Sequence, residues 1–410
     1  MAVPEPSLRI LLATDDFSAS DEPDGGSLRR IAAHLPADRL TVSAPWIPGV
    51  GRMDRKASYE IRRVPVPSVL PAAWRKSVWR KQLMGFAAES SPGMVVADGV
   101  SPAGVLALWL KRRAGIEYLL HLGTSRMNAL VKRTASGDGA KGAWAEVLRE
   151  AEGVLVPTEE CRFQAYKLGV APHAIHVVAD GVDTERFRPE LPSSELRQTL
   201  GMGEGGIVLS AAWDPWTQDE ESVLRAFAEV KSRRPDTKLV VLANGEQGIW
   251  KKLAKRLRLG RSVCVVPPVA AAKRPAYYSV ASVFLQVLRD SGEVGRHSTP
   301  DEACLEAMSC GLPVVGGCAA GTLDAVGETM PDQLFRSESH AEMGDAIVGL
   351  LDSEEARRAC GQAGRDRVQN CLSAEHTGRE VLRILEVTHF RRLGKAPVPR
   401  GLGAAAEATA

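Results

Sequence analysis

Thr299-Pro-Asp-Glu-Ala-Cys-Leu-Glu-Ala-Met-Ser-Cys-Gly-Leu-Pro-Val-Val-Gly-Gly-Cys-Ala-Ala-Gly-Thr322 holds the densest structural signal in the chain. Asp301 and Glu302 open a helix in which the apolar Leu305, Ala307 and Met308 surround Glu306. Cys310-Gly311 reads as the helix stop, Leu312–Val315 as a short buried strand and Gly316–Thr322 as a loop of small residues. This order brings main-chain N–H groups from a loop and a helix start to one spot, which suits an anion. An acidic side chain one element away suits ribose hydroxyls, as such groups do in other nucleotide folds. The stretch therefore reads as part of a nucleotide-sugar site.

Strands and helices alternate on the N-terminal side of this stretch. In the second half the strand candidates are Ile207–Ser210, Leu239–Ala243, Val263–Val266 and Val283–Val287, separated by helical patterns at Glu221–Arg233, Ile249–Leu257 and Pro275–Ala281. The first half repeats the theme with strands at Arg9–Ala13, Leu40–Ser43, Ile61–Val66, Met94–Ala97, Tyr118–His121 and Val154–Val156. Such alternation means parallel sheets covered on both faces. The expected fold class is α/β, with two Rossmann-like doubly wound domains facing a central cleft. The expected divisions are 1–188, 189–372, a helical segment 373–390 and a tail 391–410 too poor in large apolar residues to order itself, with a linker at Pro189–Leu200. In this arrangement ligands bind at the carboxyl ends of both sheets. Gly25 and Gly26, beyond the first strand, then face the same cleft as Gly316–Thr322.

Composition sets the bounds. A chain of 410 residues is too long for one compact core. With 44% apolar and 25% charged residues it is an ordinary globular sequence, and its formal net charge of +2 gives no footprint for nucleic acid. Seven cysteines, without a CxxC pair, read as small core residues in a reducing compartment. Met1–Leu8 is polar and unlike a secretory signal, and no apolar run reaches the ~20 residues of a membrane span. The expected location is the cytoplasm, with any membrane contact peripheral, at the inner membrane surface.

Further segments carry a resemblance. They are Val154-Leu-Val-Pro-Thr-Glu-Glu-Cys-Arg-Phe-Gln-Ala-Tyr-Lys-Leu-Gly-Val170, Ile175-His-Val-Val-Ala-Asp-Gly-Val-Asp-Thr-Glu-Arg-Phe-Arg-Pro189, Tyr277-Tyr-Ser-Val-Ala-Ser-Val-Phe284, Leu305-Glu-Ala-Met-Ser-Cys-Gly-Leu-Pro-Val-Val315 and Leu350-Leu-Asp-Ser-Glu-Glu-Ala-Arg-Arg-Ala-Cys-Gly-Gln-Ala-Gly-Arg365. In this order they resemble the retaining glycosyltransferases of the GT-B fold, family 4, also called the group 1 glycosyltransferases. The resemblance implies transfer of a hexose from a UDP- or GDP-linked sugar, with the donor bound mainly in the second domain and the acceptor in the first. It implies an acceptor such as a lipid phosphate, a glycan or a natural product, no metal or other cofactor, and a last helix, Ala374–Phe390, that crosses back to the first domain. His121 is then expected at the donor sugar as an orienting group, Glu306 at the ribose, and Gly25, Gly26, Gly321 and Thr322 at the phosphates.

Three positions depart from that family. Where its first of two glutamates belongs, eight residues before Glu306, stands Ser298; Glu293, Asp301 and Glu302 are nearby acids that compensate only if the loop is rearranged. Where its phosphate-clamping arginine and lysine belong stand Trp213 and Gln218. Loss of one preorganised donor to a developing charge typically costs on the order of 3 kcal/mol. Either other groups replace it, such as backbone N–H groups or Arg289 or Arg296, or the chain is an impaired transferase that only binds nucleotide or partners an active enzyme. A sugar-nucleotide epimerase is a third reading, but the sequence displays no acid/base pair for it. Trp213 and Trp216 are candidates for stacking on a base or sugar. Trp74-Arg-Lys-Ser-Val-Trp-Arg-Lys81 is either a basic, aromatic patch for an anionic membrane or a solvated helix with packed tryptophans.

Overall fold

A computed structural model of the chain describes residues 8–15, 17, 27–46, 50–65, 72–135, 143–201, 205–212, 218–243, 245, 247–289, 302–327 and 331–394. Two parallel sheets organise them. The first contains β1 (Ile10–Ala13), β2 (Leu40–Pro45), β3 (Glu60–Val64), β4 (Met94–Asp98), β5 (Glu117–His121), β6 (Gly153–Val156) and β7 (Ile175–Val177), in the order β3-β2-β1-β4-β5-β6-β7. The second contains β8 (Ile207–Ala212), β9 (Lys238–Ala243), β10 (Val263–Val266), β11 (Val283–Gln286), β12 (Val314–Gly317) and β13 (Leu334–Phe335), in the order β10-β9-β8-β11-β12-β13. Every ladder is parallel, so each link between neighbouring strands must recross the sheet, and helices fill those links. The central strands β1, β4 and β8 are buried along their whole length, which is why they read as unbroken apolar runs.

The strand order reverses between β1 and β4 in the first sheet and between β8 and β11 in the second. At such a point the connections leave to opposite sides and open a crevice above the strand ends.

Helix Glu302–Ser309 ends in a Schellman motif: Gly311 has φ of 74°, its N–H reaches the Met308 carbonyl at 2.9 Å, and the Leu312 N–H reaches the Ala307 carbonyl at 3.0 Å. The following strand runs from Val314 to Gly317, two residues later than the sequence reading. Pro313 has no N–H to give the ladder and only accepts, from the Phe284 N–H at 2.9 Å. The strand extends through both glycines because its neighbours crowd it. A Cβ on Gly316 would lie 2.8 Å from the Gln286 carbonyl oxygen. The expected small-residue loop is therefore shorter, and Ala320–Val326 is already helical.

Helix Ala374–Arg392 crosses back to the first sheet. Its Val381, Ile384 and Leu385 join the core of Leu8, Ile10, Leu12 and Val42. Gly378 permits this, since a Cβ there would lie 2.4 Å from the Cβ of His34. Two backbone bonds pin the paired crossings between the sheets, Val182 N–H to the Leu372 carbonyl and Ala374 N–H to the Val182 carbonyl, each 2.9 Å.

One expectation needs correction, and one open alternative is decided. Cys161 and Cys304 are buried core residues as read, but Cys318 and Cys371 are exposed, and all seven cysteines are free. Of the two readings of the Trp74–Lys81 stretch, Trp79 follows the packed one: it is 3% exposed and sits in the first core with Leu83 and Val100, its indole N–H 3.5 Å from Ser43 Oγ. The side chains of Trp74, Arg75, Lys76 and Arg80 lie outside the described residues. Among the described residues no helix is long and apolar enough to cross a membrane.

Candidate active site

The carboxyl ends of β1, β4 and β5 bring four polar side chains together. Asp98, the last residue of β4, is 4% exposed. Its Oδ2 accepts from Thr14 Oγ1 at 2.8 Å and from Arg126 Nη2 at 2.6 Å, while its Oδ1 faces His121 Nδ1 at 3.3 Å. Arg126, on helix Thr124–Ala135, also donates to Asp15 Oδ1 at 2.8 Å. Gly99 makes room for it, because a Cβ there would meet Arg126 Cδ at 2.9 Å.

Burial alone would raise the Asp98 pKa, but hydrogen bonds and charge from His121, Arg126 and Thr14 outweigh it and hold the carboxyl below its ordinary value. An ionised carboxylate only accepts. His121 Nδ1 must therefore carry the proton and donate to Asp98, while Nε2 has no partner among the described residues. His121 closes β5, one strand beyond the switch point of the first sheet, at the strand end where the sequence reading placed it. Asp98, Arg126, Thr14 and Asp15 were not singled out. The available signal was a carboxylate ending a strand beside a glycine.

Glu306 lies in a different environment from the one expected. It is 1% exposed, Arg274 Nη1 donates to its Oε1 at 2.7 Å, and the Tyr278 hydroxyl donates to its Oε2 at 2.8 Å. Burial pushes its pKa up to about 7 against the opposing pull of Arg274, and the nearby Glu302 pushes the same way. Both its oxygens are thus occupied by the chain's own groups.

Glu302, at the start of the same helix, reaches across the cleft. Arg30 Nη1, on helix Ser27–Ala33 of the first domain, lies 3.1 Å from Glu302 Oε1, with both side chains about a quarter exposed. This pair sets the carboxyl end of β1 opposite the Glu302–Ser309 helix.

Near the second switch point three buried polar atoms have no hydrogen-bond partner among the described residues: Gln218 Oε1, Gln286 Oε1 and Thr322 Oγ1. Gln218, where the resemblance led one to look for a lysine, is 0% exposed, and its Nε2 donates to Ser210 Oγ at 3.2 Å. Gly321 and Thr322 lie in the first turn of helix Ala320–Val326. Gly25, Gly26, Trp213, Trp216, Arg296 and Ser298 lie outside the described residues.

Comparison with known proteins bears directly on this layout. Residues 195–367 match the family model of glycosyl transferases group 1. A GDP-mannose-dependent alpha-(1-6)-phosphatidylinositol monomannoside mannosyltransferase of Mycolicibacterium smegmatis is 25% identical over 368 residues, 87% of this chain and 92% of that one. A D-inositol 3-phosphate glycosyltransferase of Frankia alni is 27% identical over 355 residues, 80% of this chain and 83% of that one. The crystal structure of Anabaena Alr3699/HepE in complex with UDP shares the fold with a TM-score of 0.70 at 17% identity, over 92% of this chain and 99% of that one.

Two facing doubly wound domains with a returning last helix define the GT-B fold. Its second domain matches the group 1 glycosyl transferases over residues 195–367, and with the relatives that span most of the chain this makes it a hexosyltransferase-type glycosyltransferase using a nucleotide-sugar.

Proposed function

We propose that the chain moves a hexose, with GDP-mannose the first donor to try and a UDP-hexose the second, onto a hydroxyl of a phosphate-bearing polyol. A phosphoinositol is the leading acceptor class, either free or as a lipid headgroup. The mannosyl and inositol-phosphate relatives support this choice by their coverage of most of both chains. The observation that carries a catalytic reading is the Thr14–Asp98–His121–Arg126 network. Folding has buried the Asp98 carboxylate and partly buried the Arg126 guanidinium, a costly arrangement with no evident packing return. Its product is one imidazole of fixed tautomer at a strand end facing the cleft.

In this reading His121 Nε2 holds a hydroxyl of the donor sugar and fixes its orientation. The bond from the sugar to the diphosphate breaks, the acceptor oxygen bonds to the same carbon, and the departing phosphate takes the acceptor proton. His121 need not act as a base. No metal ion enters the scheme. Contact with an acceptor-bearing membrane is peripheral.

The test is release of free nucleotide from a panel of GDP-, UDP- and ADP-sugars, with inositol phosphate and phosphatidylinositol vesicles as acceptors. Acceptor-dependent turnover that falls at least tenfold on His121→Ala, in protein with unchanged thermal unfolding, supports the proposal. Saturable nucleotide binding without turnover across the panel points instead to an impaired transferase. The burial of Gln218 and the internal partners of Glu306 give that second reading its motive.

A further inference from the structure

We propose that Arg289 is the cation that receives the donor's terminal phosphate, in a subsite whose buried side-chain acceptors take hydroxyls of the attached sugar. The proposal rests on the nucleotide-sugar reading and names the residue that gives it affinity for a diphosphate.

The subsite lies at the second switch point. Strands β8 and β11 lie side by side there, and their connections leave in opposite directions. The chain closes the gap between them with an antiparallel bridge, Gln218 to Leu288, and with the Asp219 N–H donating to the Val287 carbonyl at 2.8 Å. Arg289 is the next residue. Its Nε donates to the Gln218 carbonyl at 2.6 Å and its Nη2 to Glu220 Oε2. Glu220 is itself 3% exposed, so the anchor is rigid. The guanidinium is fixed on two edges while the side chain stays 46% exposed, and Nη1 has no partner among the described residues. A planar fork fixed in this way suits an oxyanion.

The surroundings point to what the oxyanion is attached to. Gln286 is in register with Gly316, and a Cβ on Gly316 would lie 3.1 Å from Thr322 Cγ2. Gln286 and Thr322 therefore share this end of the sheet with Gln218. Each carries a buried oxygen without a partner among the described residues. Buried acceptors left unmade are costly, and amide oxygens repel phosphate but accept from hydroxyls. A cation beside buried hydroxyl acceptors fits a glycosyl phosphate, more specifically the outer half of a nucleotide-sugar. Gln218 is neutral and its Nε2 is committed to Ser210, so it brings no charge of its own.

The experiment is calorimetric titration of the full chain with GDP, GMP, UDP and UMP. The preferred diphosphate is expected to bind about ten- to a hundredfold more tightly than its monophosphate, the range of one charge-assisted hydrogen-bond set. Arg289→Gln should erase that preference to within about twofold while leaving monophosphate binding unchanged, and Arg289→Lys should keep part of it. Unchanged monophosphate binding also shows that the variant has folded, which matters because Glu220 loses its partner. A diphosphate preference that survives Arg289→Gln overturns the assignment and leaves the donor-site reading standing. Loss of mono- and diphosphate binding together in Arg289→Gln also overturns it, because the residue would then be structural. No binding of any of the four nucleotides to the wild type overturns both.

Discussion

Asp98 is the residue on which the first-domain site turns. Asp98→Asn keeps the shape but can present an N–H to His121, which reverses the tautomer and removes the charge that holds Arg126. Steady-state kinetics should show kcat lowered by about ten- to a hundredfold with donor KM changed far less, because orientation rather than binding is lost. Equal effects on both would mean that the network only supports the fold. Glu306 makes a different prediction. Its folded carboxyl holds a proton up to about pH 7, whereas an ordinary glutamate releases it near 4.5. Between those values the folded state binds more protons than the unfolded state, so this residue makes stability fall as pH rises, by at most about 3 kcal/mol. Denaturant unfolding of Glu306→Gln across pH 5 to 8 should lack that slope. Glu306→Ala leaves Arg274 charged and buried and should cost about 3–5 kcal/mol, so loss of activity in that variant alone would say little about donor contact. His121 and Glu306 were legible as candidates because each sits in a local pattern, a strand end or an apolar helix. Asp98 and Arg126 were not, since their partners lie as many as 111 residues away along the chain.

Elements were read more reliably than their chemistry. The strands of both sheets up to β6, and β8 to β11, appear within a few residues of the positions that their apolar runs predicted. β7 was missed because Ile175–Val177 is short and half-exposed at the sheet edge. Helix Thr124–Ala135 was missed because only one face of it, with Met127 and Leu130, is buried, behind a polar start. The basic stretch at Trp74 shows the limit of helical patterning. Trp79 could be read as an anchor or as core, and only packing decides. Trp79→Ala should cost about 3–5 kcal/mol in chemical denaturation, as expected for a large core side chain. A change under 1 kcal/mol would return Trp79 to the surface. At the crossover, Gly378→Val forces a branched side chain against His34 and should destabilise by about 1–3 kcal/mol or more.

At the scale of the whole molecule, two sheets present their switch points to each other, and the chain connects them twice, at Val182 and Ser373. The Arg30–Glu302 pair crosses the front of the cleft, and partly exposed pairs of this kind contribute about 0–1 kcal/mol. The domains should therefore open and close around the donor. The most direct test of that arrangement is a crystal structure of the chain with GDP-mannose or a UDP-hexose. The account predicts a ligand spanning the cleft, with its phosphates at the β8/β11 end of the second sheet and a sugar hydroxyl within hydrogen-bond reach of His121 Nε2. A nucleotide-sugar bound with its hexose turned away from His121, or a cleft left empty at saturating ligand, would contradict it.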